Sequence, residues 1–245
     1  MTSAALALAL GLGLKEWIAR PRVTLILRHR SRPAEVSDRV VTRRMDTGET
    51  AAFVRLRVDN RGRSTARRVG VRVLQVHHYD DREDAWIRTT PELDGRLLQP
   101  SNQLPDAQSL DTLDVFPSSD GIVDLASVNC DAGSAGFGCI SVEIGYPRPR
   151  NGANLLEPGT WQLDLLVSGD NITAKRYFVV LSFDGATPGL NSAEIWDHFR
   201  IDGPSTHREP LVAAHRASPA QTRVQARGRS TPVHKPNRGG AGSGV

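Results

Sequence analysis

The feature that most constrains this chain is a strict alternation of apolar and polar residues, repeated in separate runs between Pro21 and Asp184. Val54, Leu56 and Val58 alternate with Arg55, Arg57 and Asp59, and Val69, Val71 and Val73 continue the pattern. Ile140, Val142, Ile144 and Tyr146 share one parity, as do Trp161, Leu163, Leu165 and Val167, and then Tyr177, Val179, Leu181 and Phe183. Successive side chains of a strand point to opposite faces, so each run has one face for a core and one for water. A helix needs its apolar residues roughly every 3.6 positions and is excluded as the dominant element.

Turn chemistry falls between the runs. Asn60, Arg61 and Gly62, and later residues 168–171, supply types that tolerate left-handed backbone, while Pro158 and Gly159 open the run carrying Trp161. Further strands are expected over residues 21–29 and, more weakly, 121–128. Residues 79–119 hold four prolines and few apolar repeats, which predicts long loops with a short edge strand at 96–98. Ser192 is placed to cap a short helix through Arg200, with Ile195, Trp196 and Phe199 on one side.

Seven or eight strands joined by hairpins, with no strand–helix alternation, predict an all-β fold: an antiparallel β-sandwich with long insertions. Trp161 is expected in its core near Val54, Leu56 or Val71. Residues 21–202 form the expected domain, larger than the roughly 100 residues usual for an immunoglobulin-like unit, so the surplus is assigned to insertions between residues 79 and 127.

The apolar share of 39% suffices for such a core and is too low for a helical membrane protein, and two cysteines rule out a disulfide framework or a four-cysteine zinc site. The net charge of +4 is unevenly spread. From Gly203 onward there are seven basic residues against one acidic residue, in a stretch rich in Pro, Ser, Ala and Gly, so residues 203–245 are expected to be a disordered basic tail. Its arginines imply weak attraction to anionic lipid or nucleic acid and no nucleic-acid-binding fold. Residues 1–20 contain an apolar run at 2–14 followed by Lys15, Trp17, Arg20 and Arg22. A helix over that run rises roughly 20 Å, short of a roughly 30 Å hydrocarbon core. It is expected to be a short or upstream-extended membrane anchor whose flanking cations mark the cytoplasmic side, with a peripheral or disordered end and a signal peptide as the alternatives.

Few residues suggest chemistry. His77, His78, Tyr79, Asp80 and Asp81 are of metal-ligating types, but on a strand His77 and Tyr79 face one way and His78 and Asp80 the other, so no three converge. Cys130 and Cys139 enclose a glycine-rich loop between two expected strands; they are read as structural thiols or as a disulfide if the strands set them opposite each other. Asn171, Ile172 and Thr173 form a glycosylation sequon at a hairpin turn. Arg55, Arg57, Arg67, Arg68 and Arg72 fall on outward positions of neighbouring strands with Asp59 as their one obvious acidic neighbour, which makes them the best candidate for an anion-binding or partner surface. No catalytic motif and no requirement for a metal or other cofactor emerges.

The segment FVRLRVDNRGRSTARRVGVRVLQV, with Asn60, Gly62 and Ala66 between two alternating strands, resembles bacterial immunoglobulin-like domains of the CARDB kind, and LLEPGTWQLDLLVSGDNITAKRYFVVLSF looks like the closing hairpin of such a domain. An apolar N-terminal segment, then RPR, then a sandwich is also similar to membrane-tethered bacterial proteins. The resemblance implies an interaction or scaffold role and carries no catalytic residues. The expectation is therefore a noncatalytic module that binds a protein partner at the cytoplasmic face of a bacterial membrane. The competing expectations are an exported adhesion-type domain and an enzyme with its site in the 77–127 insertion.

Overall fold

The structure, a computed structural model, describes residues 19–27, 39–43, 48–101, 112–133, 137–145, 149, 151–186 and 194–207, with 39–43 described as backbone only. The expected apolar anchor at 2–14 and the tail beyond 207 lie outside the described residues.

Alternating sequence becomes two antiparallel sheets. One contains β1 (Val23–Ile26), β2 (Arg39–Arg43), β3 (Thr50–Asn60), β6 (Gln99–Pro100), β8 (Asp120–Asn129), β9 (Ile140–Val142) and β10 (Leu155–Leu156). It runs in the order β1-β3-β8-β9-β10, with β2 also on β3 and β6 also on β8. The other contains β4 (Ala66–Asp80), β5 (Ala85–Thr89), β7 (Leu113–Val115), β11 (Gly159–Ser168), β12 (Lys175–Phe183) and β13 (Phe199–Ser205), in the order β13-β12-β11-β4-β5 with β7 also on β4.

The core is drawn from the expected parities of both sheets. Val54, Leu56 and Val58 of β3 and Val123, Ala126 and Val128 of β8 pack with Val69, Val71 and Val73 of β4 and with Leu163, Leu165, Val179 and Leu181 of β11 and β12. Trp161 is buried in this cluster, and its indole N–H donates to the Glu157 carbonyl at 2.8 Å. Its cross-strand neighbours are Leu181 and His78, whereas Val71 lies opposite Val167, farther along the same ladder. A buried hydrogen bond joins the sheets: the Leu25 amide of β1 donates to the Tyr177 hydroxyl of β12 at 3.1 Å.

Three expectations are corrected. The described residues between 79 and 119 form more than long loops: β5 closes a hairpin on β4, Pro91–Leu93 form a 3-10 turn, and β7 returns to the start of β4. The edge strand expected at 96–98 instead bridges the sandwich, since Leu97 pairs with Arg72 of one sheet and Leu98 with Ile144 beside the other. The helix expected over 192–200 shrinks to α1 (Ile195–His198), and Phe199 begins β13, which extends to Ser205 beyond the expected domain limit at 202. Phe199 and Ile201 are both buried, so the period-two signal there outweighs the helical one.

Candidate functional site

At one end of the sandwich the organising residue is Asn60, fully buried at the last position of β3. Its Oδ1 accepts from the Arg22 and Gly62 amides at 3.1 and 3.0 Å, and its Nδ2 donates to the carbonyls of Ser64 and Val115 at 2.8 and 2.9 Å. One amide group thereby clasps the incoming chain, the β3–β4 turn and β7. The position of Gly62 is dictated by crowding: a Cβ there would stand 2.4 Å from the Pro21 Cα, so the chain leading into β1 lies directly on the turn. The β11–β12 turn joins the same end, because Asn171 accepts from the Arg67 amide at 2.9 Å and donates to the Thr65 carbonyl at 2.9 Å. The sequon asparagine thus carries a structural clasp.

The five arginines expected to form one surface are divided between the sheets. Arg55 and Arg57 lie on β3, where Arg55 meets Asp124 at 3.0 Å and Arg57, itself buried, meets Asp120. Both partners come from β8, directly opposite or diagonal in register, so this pair of cations is neutralised in place. Burial pushes the Asp124 carboxyl above its ordinary value, with the Arg55 charge pulling the other way. Arg72 lies mid-β4 and donates to the Gly95 carbonyl at 3.2 Å. Arg67 and Arg68 are exposed at the Asn60 end, in company that the alternation analysis missed: Arg20, Arg22, Arg61 and Arg63 are exposed there too. Their sequence signal was the cluster RPR followed by NRGR, which becomes meaningful once Gly62 is seen to seat Pro21.

At the far end of β4 the cluster at 77–81 alternates as a strand. His78 packs on Trp161 with ring centroids 4.5 Å apart, Tyr79 packs on Trp86 at 5.2 Å, and Asp80 Oδ1 accepts from the Arg82 and Glu83 amides to shape the turn. His77 lies opposite Gln162 on one side and Arg88 on the other. Among the described residues no three His, Cys, Asp or Glu side chains group closely enough to hold a metal ion. What stands there instead is a hairpin whose second strand, β5, ends the sheet and presents Trp86, the 38% exposed Ile87, and Arg88 held by Asp94.

Cys130 and Cys139 are free thiols. The antiparallel β8–β9 ladder ends at the Val128–Ile140 pair, and Asn129 then bridges Phe137. Burial pushes both thiols above their ordinary value, which disfavours the reactive thiolate.

No described helix is long and apolar enough to cross a membrane. Comparison with protein-family models, with curated proteins and with solved structures finds no match.

Proposed function

We propose that this chain is a noncatalytic protein-interaction or scaffold module of the immunoglobulin-like, CARDB-like kind, held at the cytoplasmic face of a bacterial membrane through residues 1–20. The observation that carries the reading is the β4–β5 hairpin. Among the described residues β5 pairs on one side only, with β4, and an open edge accepts an extended segment of another protein through main-chain hydrogen bonds. Its side chains include the Trp and Arg types that dominate binding energy at protein interfaces. The other end strand of this sheet, β13, is blunted by Gly203–Pro204 and Asp202, which leaves β5 as the better edge. Attachment through residues 1–20 is supported by the apolar run and its cationic flank, and by Pro21, which seats on Gly62.

The test is in-cell crosslinking of the native protein and of Trp86→Ala and Ile87→Lys variants. Both substitutions fall on half-buried or exposed positions and should leave the fold intact. Loss of a defined crosslinked partner in both variants, with membrane fractionation unchanged, supports the reading. Unchanged crosslinking in both refutes the hairpin as the binding element.

A further inference from the structure

We propose that the Asn60 end of the folded sandwich is itself a binding surface for an anionic lipid bilayer. This goes beyond the partner-binding role assigned to the hairpin, and it concerns the opposite end of β4. Four segments are locked together there: the Arg61 amide donates to the Arg22 carbonyl at 3.0 Å, the Ser118 amide to the Asn60 carbonyl at 2.9 Å, and the Asp170 amide to the Arg67 carbonyl at 3.0 Å. The surface so assembled exposes Arg20, Arg22, Arg61, Arg63, Arg67 and Arg68. Among the described residues the carboxylates at this end are fewer: Asp59 sits on Arg61 at 2.7 Å, Asp114 accepts from the Arg68 amide, and Asp170 lies 4.0 Å from the Arg68 guanidinium. Cations remain in surplus, in contrast to the neutralised Arg55 and Arg57 on the sheet face.

Two further observations select a bilayer over a soluble anion. Phe116 is 64% exposed at this end, the most exposed of the large apolar side chains described. It is held outward by a tight turn in which the Ser119 amide and hydroxyl both donate to the Phe116 carbonyl. An exposed apolar ring on the same end as these cations matches the boundary between headgroups and acyl chains. The apolar run at 2–14 also leads to this end, with only residues 15–18 between it and Ala19. Leu14 and Ala19 are five steps apart and so at most roughly 18 Å, which with that run inserted keeps this end within about two roughly 10 Å screening lengths of the surface.

The test uses the full-length protein in vesicle sedimentation, with phosphatidylcholine alone and with phosphatidylcholine mixed with phosphatidylglycerol. The variants are Arg63→Gln/Arg67→Gln/Arg68→Gln and Phe116→Ser, each carrying the native N-terminal run and tail. A basic residue near an anionic surface is worth about 1 kcal/mol, so the triple variant should lose about ten- to a hundredfold in affinity for the mixed vesicles, with a shallower salt dependence and unchanged binding to phosphatidylcholine. Phe116→Ser should weaken binding with the salt dependence preserved. Should the triple variant fail to fold, Arg20→Gln/Arg63→Gln leaves β4 untouched and is expected to act in the same direction. Native-like binding of these variants to the mixed vesicles would overturn the proposal and leave the N-terminal run or tail as the whole attachment. So would a single-stranded oligonucleotide that binds more tightly than the vesicles and responds to the same substitutions. The Trp86→Ala and Ile87→Lys variants serve as the control: they must bind vesicles as the native protein does, so failure of the hairpin reading and failure of this one are separable.

Discussion

Replacing Asn60 by Ala tests whether one buried amide holds the incoming chain, the β3–β4 turn and β7 together. The side chain satisfies four backbone groups, two of them in fully buried hydrogen bonds with the Gly62 amide and the Val115 carbonyl. A buried group deprived of its partner costs about 1 to 3 kcal/mol, whereas the part-buried Arg22 amide and Ser64 carbonyl can recover water and lose about 0.5 to 1.5 kcal/mol each at most. The two buried groups thus cost about 2 to 6 kcal/mol together and the part-buried pair adds at most about 3, a large part of the roughly 5 to 15 kcal/mol available to a domain. Asn60→Asp should be worse than Ala, because a carboxylate keeps the two acceptor roles but faces the Ser64 and Val115 carbonyls with a buried charge. Gly62→Ala pushes on the same Pro21 segment from the other side, so the double variant Asn60→Ala/Gly62→Ala should cost less than the sum of the singles. Equilibrium urea unfolding followed by tryptophan fluorescence measures all four. A loss under about 1 kcal/mol for Asn60→Ala, or an Asp variant as stable as the Ala variant, would refute the clasp.

Trp161→Ala removes a buried ring that spans the His78 and Leu181 positions and should cost about 3 to 5 kcal/mol in urea unfolding followed by circular dichroism; a cost below about 1.5 kcal/mol would mean the ring adds little to the core. Asp124 should behave opposite to an ordinary paired carboxylate with pH. Burial raises its folded value above 3.8, so the folded chain holds the proton more tightly than the unfolded chain, and the contribution of this residue to stability grows as pH falls from neutral through the raised value towards 3.8. Relative to Asp124→Asn, the native protein should therefore gain stability over that window, and a stability difference that is flat with pH would contradict the sign.

The sheet parities were legible because burial on one face leaves a period-two record in the sequence, as at Val54–Leu56–Val58 and Leu163–Leu165–Val167. What was not legible came from long-range pairing and short elements. The partners of Arg55 and Arg57 lie on β8, more than sixty residues away, and show only as Asp120 and Asp124 at the outward parity of a weak strand. Strands of two or three residues such as β6, β7 and β10 are too short to carry a period at all. At β13 the alternation of Phe199 and Ile201 competed with the helical spacing of Ile195, Trp196 and Phe199, and pairing with β12 decided it. The basic end escaped the sequence for a similar reason: its arginines come from two stretches, 20–22 and 61–68, and the crowding of Gly62 against Pro21 brings them to one place.

The charge left after pairing is sorted along β4, and this sorting supplies an orientation. At one end are the exposed arginines around Asn60; at the other, the β4–β5 turn carries Asp80, Asp81, Glu83 and Asp84 against Arg82 alone. β4 has fifteen residues, which at roughly 3.3 Å each separates the two ends by about 45 Å, several times the roughly 8 to 10 Å screening length. With the arginine end on an anionic surface and β4 standing away from it, the acidic turn feels almost no repulsion. Tilting the sandwich until the turn approaches the surface brings four carboxylates and only one arginine of that turn to it, so the charges of the two ends favour the upright arrangement. β4 and β11 remain paired from Gly70–Ser168 to His78–Trp161, so the tilt of one end is transmitted to the other. Lipid binding at the Asn60 end would therefore hold the open β5 edge away from the membrane, where an extended segment of a partner can reach it.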